Sequence, residues 1–133
     1  MKRLIVDVRP GGYTVTRLAP GTPLPAGLLD LTGVLVSVTR TPDEVSVIAP
    51  SSFELPAGTA EEGWRLLTVR GPLEFTLTGI MAALAGELAA AGVPLFALST
   101  YDTDHLLVKQ SDLDRAVVAL RAAGHELVVA PEA

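Results

Sequence analysis

Asp102, Asp104 and His105 crowd into four positions between two apolar runs, Leu95 to Tyr101 and Leu106 to Val108. Carboxylates in such a turn can pair with an ammonium or guanidinium group, or simply bond to nearby backbone N–H groups and stay solvated. Ser99 and Thr100, just before them, offer hydroxyls or only fill strand positions. A second place with chemical potential is the loop 72–79, which holds Thr76, Thr78 and Gly79 and runs into an apolar periodic stretch. A helix starting there presents unpaired N–H groups and the positive end of its dipole, both of which attract a carboxylate. Gly79 admits close approach because it has no side chain, or serves helix packing for the same reason. Thr76 and Thr78 read first as N-caps.

Catalysis finds little support. Neighbouring strand residues point to opposite faces, so Asp104 and His105 do not converge, and no Ser or Lys is spaced beside them as a nucleophile. Neither His105 nor His125 has a metal-like partner at i+3 or i+4, and the chain has no cysteine, which excludes thiol nucleophiles, disulfides and Cys-ligated metals. Gly11-Gly12 is an isolated pair, not a phosphate-binding loop. No enzyme activity, metal or cofactor is expected.

The elements that must position these residues are most legible after Gly63. Trp64 to Val69 reads as a strand closed by Arg70-Gly71-Pro72. Leu77, Ile80, Met81, Leu84 and Leu88 then recur at helical spacing, with Thr76 or Thr78 as cap, Gly92 at the stop and Pro94 beyond it. Strands Leu95–Tyr101 and Leu106–Val108 follow, joined by a turn at Asp102-Thr103-Asp104. Ser111 and Asp114 suggest a capping box for a helix bearing Leu113, Ala116, Val117 and Leu120, with Gly124 at its end and a last strand through Val129. The order strand, helix, strand, strand, helix, strand predicts an α+β, ferredoxin-like βαββαβ unit with both helices on one face of an antiparallel sheet.

The front half is strand-rich. Tyr13–Leu18, Val34–Thr39 and Val45–Ile48 read as strands, with Thr41-Pro42-Asp43-Glu44 as a hairpin turn. Pro20 to Gly33 allows only a short helical turn, and Ala49 to Gly63 reads as a connector. The predicted organisation is residues 1–60 as an abbreviated unit and 61–133 as the complete one.

The chain has 133 residues, of which 49% are hydrophobic and 19% charged, and its mean hydropathy is +0.43, the profile of a globular protein. Ten basic against fifteen acidic residues leave a net charge of -5, spread over both halves, which argues against a nucleic-acid partner. No apolar run approaches the length of a membrane span and no secretory signal is evident, so a cytoplasmic protein is expected.

Thr78-Gly79-Ile80-Met81-Ala82-Ala83-Leu84, Gly92-Val93-Pro94-Leu95, Leu98-Ser99-Thr100 and Asp112 to Leu120 resemble the ACT domain of amino-acid-responsive proteins, the aspartate kinase pattern above all. With Thr39 to Glu44, Gly63-Trp64-Arg65, Gly71 to Phe75 and Ser99 to Asp104 included, the whole chain is similar to small bacterial tandem-ACT proteins related to CASTOR-type amino-acid sensors. Thr78 stands where many ACT domains carry Pro before this glycine. The resemblance implies a non-catalytic regulatory protein, a homodimer that holds an amino acid or similar metabolite between ACT units, with a partner enzyme as a possible reader. It points to ligand contacts from Leu73, Glu74, Phe75, Thr76, Thr78 and Gly79 and from Ser99, Thr100, Asp102 and Asp104. The bland alternative is an ACT-like dimerisation or docking module without a ligand.

Overall fold

The computed structural model describes residues 3–71 and 79–131. In chain order it contains β1 (Ile5–Val8), β2 (Tyr13–Leu18), β3 (Ser37–Arg40), β4 (Val45–Pro50), β5 (Thr59–Val69), α1 (Ile80–Ala90), β6 (Leu95–Ser99), β7 (Asp104–Lys109), α2 (Leu113–Ala122) and β8 (Glu126–Val129). Contacts divide the chain into two compact units, Met1–Gly11 with Arg65–Ala133, and Gly12–Trp64. This grouping differs from a division by chain order at residue 60, because β1 pairs with strands of the C-terminal half.

From β5 onward the first unit has the ferredoxin-like order of strand, helix, strand, strand, helix, strand. Its sheet is wider than the expected plan. β1 lies between β5 and β8, antiparallel to the first (Val6↔Val69, Val8↔Leu67) and parallel to the second (Ile5↔Glu126 to Val8↔Val129). β7 pairs with β5 on one side and β6 on the other. Period-two alternation turns Val6, Val8, Leu67, Val69, Leu106, Val108 and Leu127 into one core with Ile80, Leu84 and Leu88 of α1 and Leu113, Ala116, Val117 and Leu120 of α2.

Both helices stop where glycine was expected to stop them. Gly92 has φ +73, with Gly92 N–H bonded to Ala89 O at 3.0 Å and Val93 N–H to Leu88 O at 2.9 Å. Gly124 repeats this six-to-one, five-to-two arrangement with Arg121 and Leu120. The starts differ from expectation. Asp112, not Ser111, occupies the N-cap of α2 after a 3-10 turn over Gln110–Asp112, and no side-chain capping bond forms. Asp112 instead pairs with Arg115 at 3.5 Å, so the capping box is replaced by a local ion pair. The buried His125 accepts the Leu4 N–H on Nδ1 at 3.1 Å, which leaves the ring hydrogen on Nε2, 3.2 Å from Glu87 Oε2 of α1.

In the second unit β2 pairs antiparallel with β4 (Thr14↔Ala49 to Leu18↔Val45) and with the first part of β5, while β3 pairs with β4. The Thr41–Glu44 turn forms as its sequence indicates, with Thr41 N–H bonded to Glu44 O at 3.0 Å and Thr41 Oγ1 accepting from the N–H groups of Asp43 and Glu44. Residues 59–63, expected in the connector, are strand. Thr59, Ala60 and Glu61 find ladder partners on β2, and Glu62 and Gly63, the latter at φ +80, span the register shift between Tyr13↔Trp64 and Val15↔Glu61. The helical content of this unit among the described residues is one 3-10 turn, Leu28–Asp30, whose Leu28 joins Leu18, Val45, Val47 and Ala49 in a small core.

Gly58 is sterically required. A Cβ there would stand 2.5 Å from Arg17 O and 2.9 Å from Leu18 Cδ2, whereas one at Gly86, inside α1, would meet nothing within 4 Å. Urea denaturation should therefore show Gly58→Ala destabilised by roughly 1–3 kcal/mol through overpacking. Gly86→Ala should be stabilised by about 0.5–1 kcal/mol through helix propensity.

Candidate functional site

The hairpin between β6 and β7 is built from hydroxyls and one carboxylate. Ser99 and Asp104 are ladder partners, and Ser99 Oγ donates to Asp104 Oδ1 at 2.5 Å. Thr100 N–H donates to Thr103 O at 2.8 Å and Thr100 Oγ1 to the same oxygen at 3.2 Å, closing a turn over residues 100–103. Thr103 Oγ1 then donates to Val69 O at 2.5 Å, which ties the turn to the end of β5. Asp104 is thus the first residue of β7 and not part of the turn, because Thr100 and Thr103 close it one position earlier than the sequence suggested. Asp102 stays at the exposed tip beside Tyr101, itself 80% exposed. Ser99, Thr100 and Asp104 are brought together; Asp102 is not hydrogen-bonded to them.

At the other piece of the site, α1 starts at Ile80 with Gly79 as its N-cap at φ +78. This corrects the expected threonine cap. No side-chain hydrogen bond caps the first turn among the described residues, and Gly79 O accepts the Ala83 N–H at 2.8 Å. A Cβ on Gly79 would meet nothing within 4 Å, so glycine answers a conformational demand here and not close helix packing. Leu73, Glu74, Phe75, Thr76 and Thr78 lie outside the described residues.

Several contributors were not legible beforehand. Arg70, where β5 ends and the loop toward Gly79 begins, grips Asp7 of β1 with two bonds, Nη2 to Oδ1 at 2.6 Å and Nε to Oδ2 at 3.0 Å. These residues are 63 apart in the chain, and the only hint is that each charge interrupts or ends an apolar run. Thr103 and Thr68 also matter: Thr68 Oγ1 lies 3.0 Å from His105 Nδ1. The two pieces offer a carboxylate held by the Ser99 hydroxyl and a helix mouth of N–H donors. Among the described residues no group of His, Asp or Glu is arranged to hold a metal ion.

The sequence profile of the ACT domain matches residues 59–122, which run from β5 through α2. Residues 59–122 thus carry an ACT domain. ACT domains are regulatory modules. A human protein named cytosolic arginine sensor for mTORC1 subunit 1 is similar, 36% identical over 73 residues that make up 54% of this chain and 22% of that protein. The chain thus spans under a quarter of the length of such curated relatives. A crystal structure of an Agobacterium tumefaciens protein is similar throughout, with 32% identity, a TM-score of 0.89 and coverage of 99% of this chain and 97% of that one. The ligand-free regulatory subunit of aspartate kinase from Thermus thermophilus shares the fold, with a TM-score of 0.61 at 13% identity over 90% of this chain and 97% of that one. No helix among the described residues is long and apolar enough to cross a membrane.

Charges around this ACT unit make its stability pH-dependent. The hydrogen bond from Arg70 holds Asp7 below its ordinary value of 3.8, against the opposing effect of burial. A depressed carboxylate contributes stability that is present at neutral pH and is lost as pH falls below about 4. Burial likewise holds the half-buried His105 below 6.5, with Asp104 opposing and Arg9 adding to the shift. The unfolded chain then takes up this proton first, so stability drops as pH falls from about 6.5 and levels off once the folded histidine titrates. Urea unfolding at about pH 7.5 and 5.5 should show a smaller acid loss for His105→Gln than for the natural chain.

Proposed function

We propose that the chain is a non-catalytic, cytoplasmic regulatory protein that binds a free amino acid, or a similarly small metabolite with both charges, between ACT units of a homodimer. The observation that carries this reading is the helix mouth at Gly79, whose first turn has no side-chain cap among the described residues and whose donors suit a carboxylate. The complementary feature is Asp104, held by Ser99, which suits an ammonium or guanidinium group. The likeness to a protein named an arginine sensor supports the same class of ligand. The loop residues Leu73, Glu74, Phe75, Thr76 and Thr78, together with Thr100 and Asp102, complete the proposed contacts.

Regulation would work by linkage: a ligand that binds one arrangement of units more tightly shifts the population toward it by that difference in affinity. A partner enzyme would read the shift. The acidic balance of the chain opposes a nucleic-acid partner.

Isothermal titration against the twenty amino acids should give saturable heat with at least one. Gly79→Ala, which forces a left-handed conformation on a residue with a side chain, and Asp104→Asn should each weaken that ligand about tenfold or more. Silence across all twenty, with an unchanged dimer in light scattering, would instead favour a module that only dimerises or docks.

A further inference from the structure

We propose that His125 is a proton-operated latch on the start of β1: the neutral ring holds the Leu4 backbone, and the protonated ring releases it and turns to Glu87 of α1. The device uses none of the residues of the amino-acid site proposed above and does not rest on it.

His125 lies where the end of α2, the beginning of β1 and the flank of α1 meet. Its N–H donates to Leu120 O at 3.1 Å, which fixes its backbone as part of the stop of α2. Its side chain is only 2% exposed, so the ring must find its partners inside the protein. Leu4 is buried too, and its backbone faces β8, since Leu4 O accepts the Glu126 N–H at 2.9 Å. The parallel ladder begins one residue later, at Ile5↔Glu126, so Leu4 N–H is met by His125 Nδ1 at 3.1 Å in place of a strand carbonyl.

A ring nitrogen accepts a hydrogen bond only while it carries no hydrogen, so the bond to Leu4 exists only in the neutral ring protonated on Nε2. A proton arriving from solvent must add to Nδ1, where the free lone pair is. Both ring nitrogens are then donors, and the buried Leu4 N–H loses its acceptor. The charge so created has a counter-ion at hand. Glu87 Oε2 lies 3.2 Å from Nε2, both atoms are shut off from solvent, and neither completes a hydrogen bond among the described residues. The neutral ring thus serves Leu4 and leaves the carboxylate contact unfinished, whereas the charged ring gains an ion pair by a small turn toward α1. A proton binds only the released arrangement and shifts the population toward it.

The other charges on the surrounding elements are engaged elsewhere. Arg3, ahead of β1, pairs with Glu126 of β8 at 3.0 Å, and Asp7 of β1 is held by Arg70. In α2, Arg121 donates to Leu127 O at 3.1 Å and Arg115 to Gly92 O at 3.3 Å, while Asp114 sits in the first turn, at the end away from His125. Glu87 is the one charged residue of α1.

The test is amide hydrogen exchange of the full chain by ¹H–¹⁵N NMR, read as protection relative to the intrinsic rate at each pH. The range is about pH 7.5 to 5, where histidine titrates and ordinary carboxylates stay charged. Leu4 should lose protection about tenfold or more as the His125 ring titrates, followed through its ring nitrogen shifts, while Val6 and Val8 farther along the strand keep theirs. His125→Asn, whose Oδ1 stands near the place of Nδ1 and takes up no proton, should hold Leu4 equally at both ends of the range. Glu87→Gln removes the counter-charge and should move the loss to lower pH. His105→Gln should change nothing at Leu4. A ring hydrogen on Nδ1 at pH 7.5, a ring still neutral at about pH 5, constant protection of Leu4 as the ring titrates, or an unchanged midpoint in Glu87→Gln would overturn the proposal. Should His125→Asn lose its folded spectrum, the natural chain and Glu87→Gln decide.

Discussion

Val6 and Val8 are fully buried, and the strand that carries them is bonded on both edges, to β5 and to β8. Flanking bonds extend both ladders: Arg9 N–H to Leu66 O, Arg70 N–H to Ile5 O, and Glu126 N–H to Leu4 O, all between 2.8 and 2.9 Å. His125 anchors the beginning of this strand by accepting the Leu4 N–H. Without it, β5 and β8 would expose unpaired backbone groups, and the core beneath both helices would lose two of its closed positions. Hence the ACT unit is completed by a segment that lies outside the 59–122 match. The Gly12–Trp64 segment is, in chain order, an insertion between two strands that pair directly.

The same dependence reaches the candidate site. Asp7 of β1 is the carboxylate that Arg70 grips, so the residue that opens the loop toward Gly79 is oriented by the first strand of the chain. Thr103 fixes the hairpin to the carbonyl of Val69, immediately before that arginine. Three hydroxyls, from Ser99, Thr100 and Thr103, thereby set the position of Asp104 relative to the end of β5. A carboxylate located by hydrogen bonds to its surroundings costs less to order when a ligand arrives than one on a loose turn.

Much of the fold was legible because its signals are local. Helical spacing from Ile80 to Leu88 and from Leu113 to Leu120, the stops at Gly92 and Gly124, and the polar turn at Thr41 to Glu44 all depend on residues within a few positions of one another. The N-termini were less legible. Threonines and Ser111 satisfy the preference for a capping residue, yet Gly79 and Asp112 hold the cap positions, since the path of the preceding chain decides which residue leaves the helix first.

From composition and periodicity alone follow the α+β class, the ferredoxin-like order of elements and the residues of the helical cores. The tertiary structure alone decided that β1 completes the sheet, that residues 59–63 extend a strand, that Asp104 belongs with Ser99 instead of Asp102, and that Asp7 finds Arg70. Periodicity records which face of an element is apolar, and that information is contained in a short window. Strand partners and ion pairs separated by 60 to 120 residues depend on which surfaces the folded chain brings together, and no window holds both members.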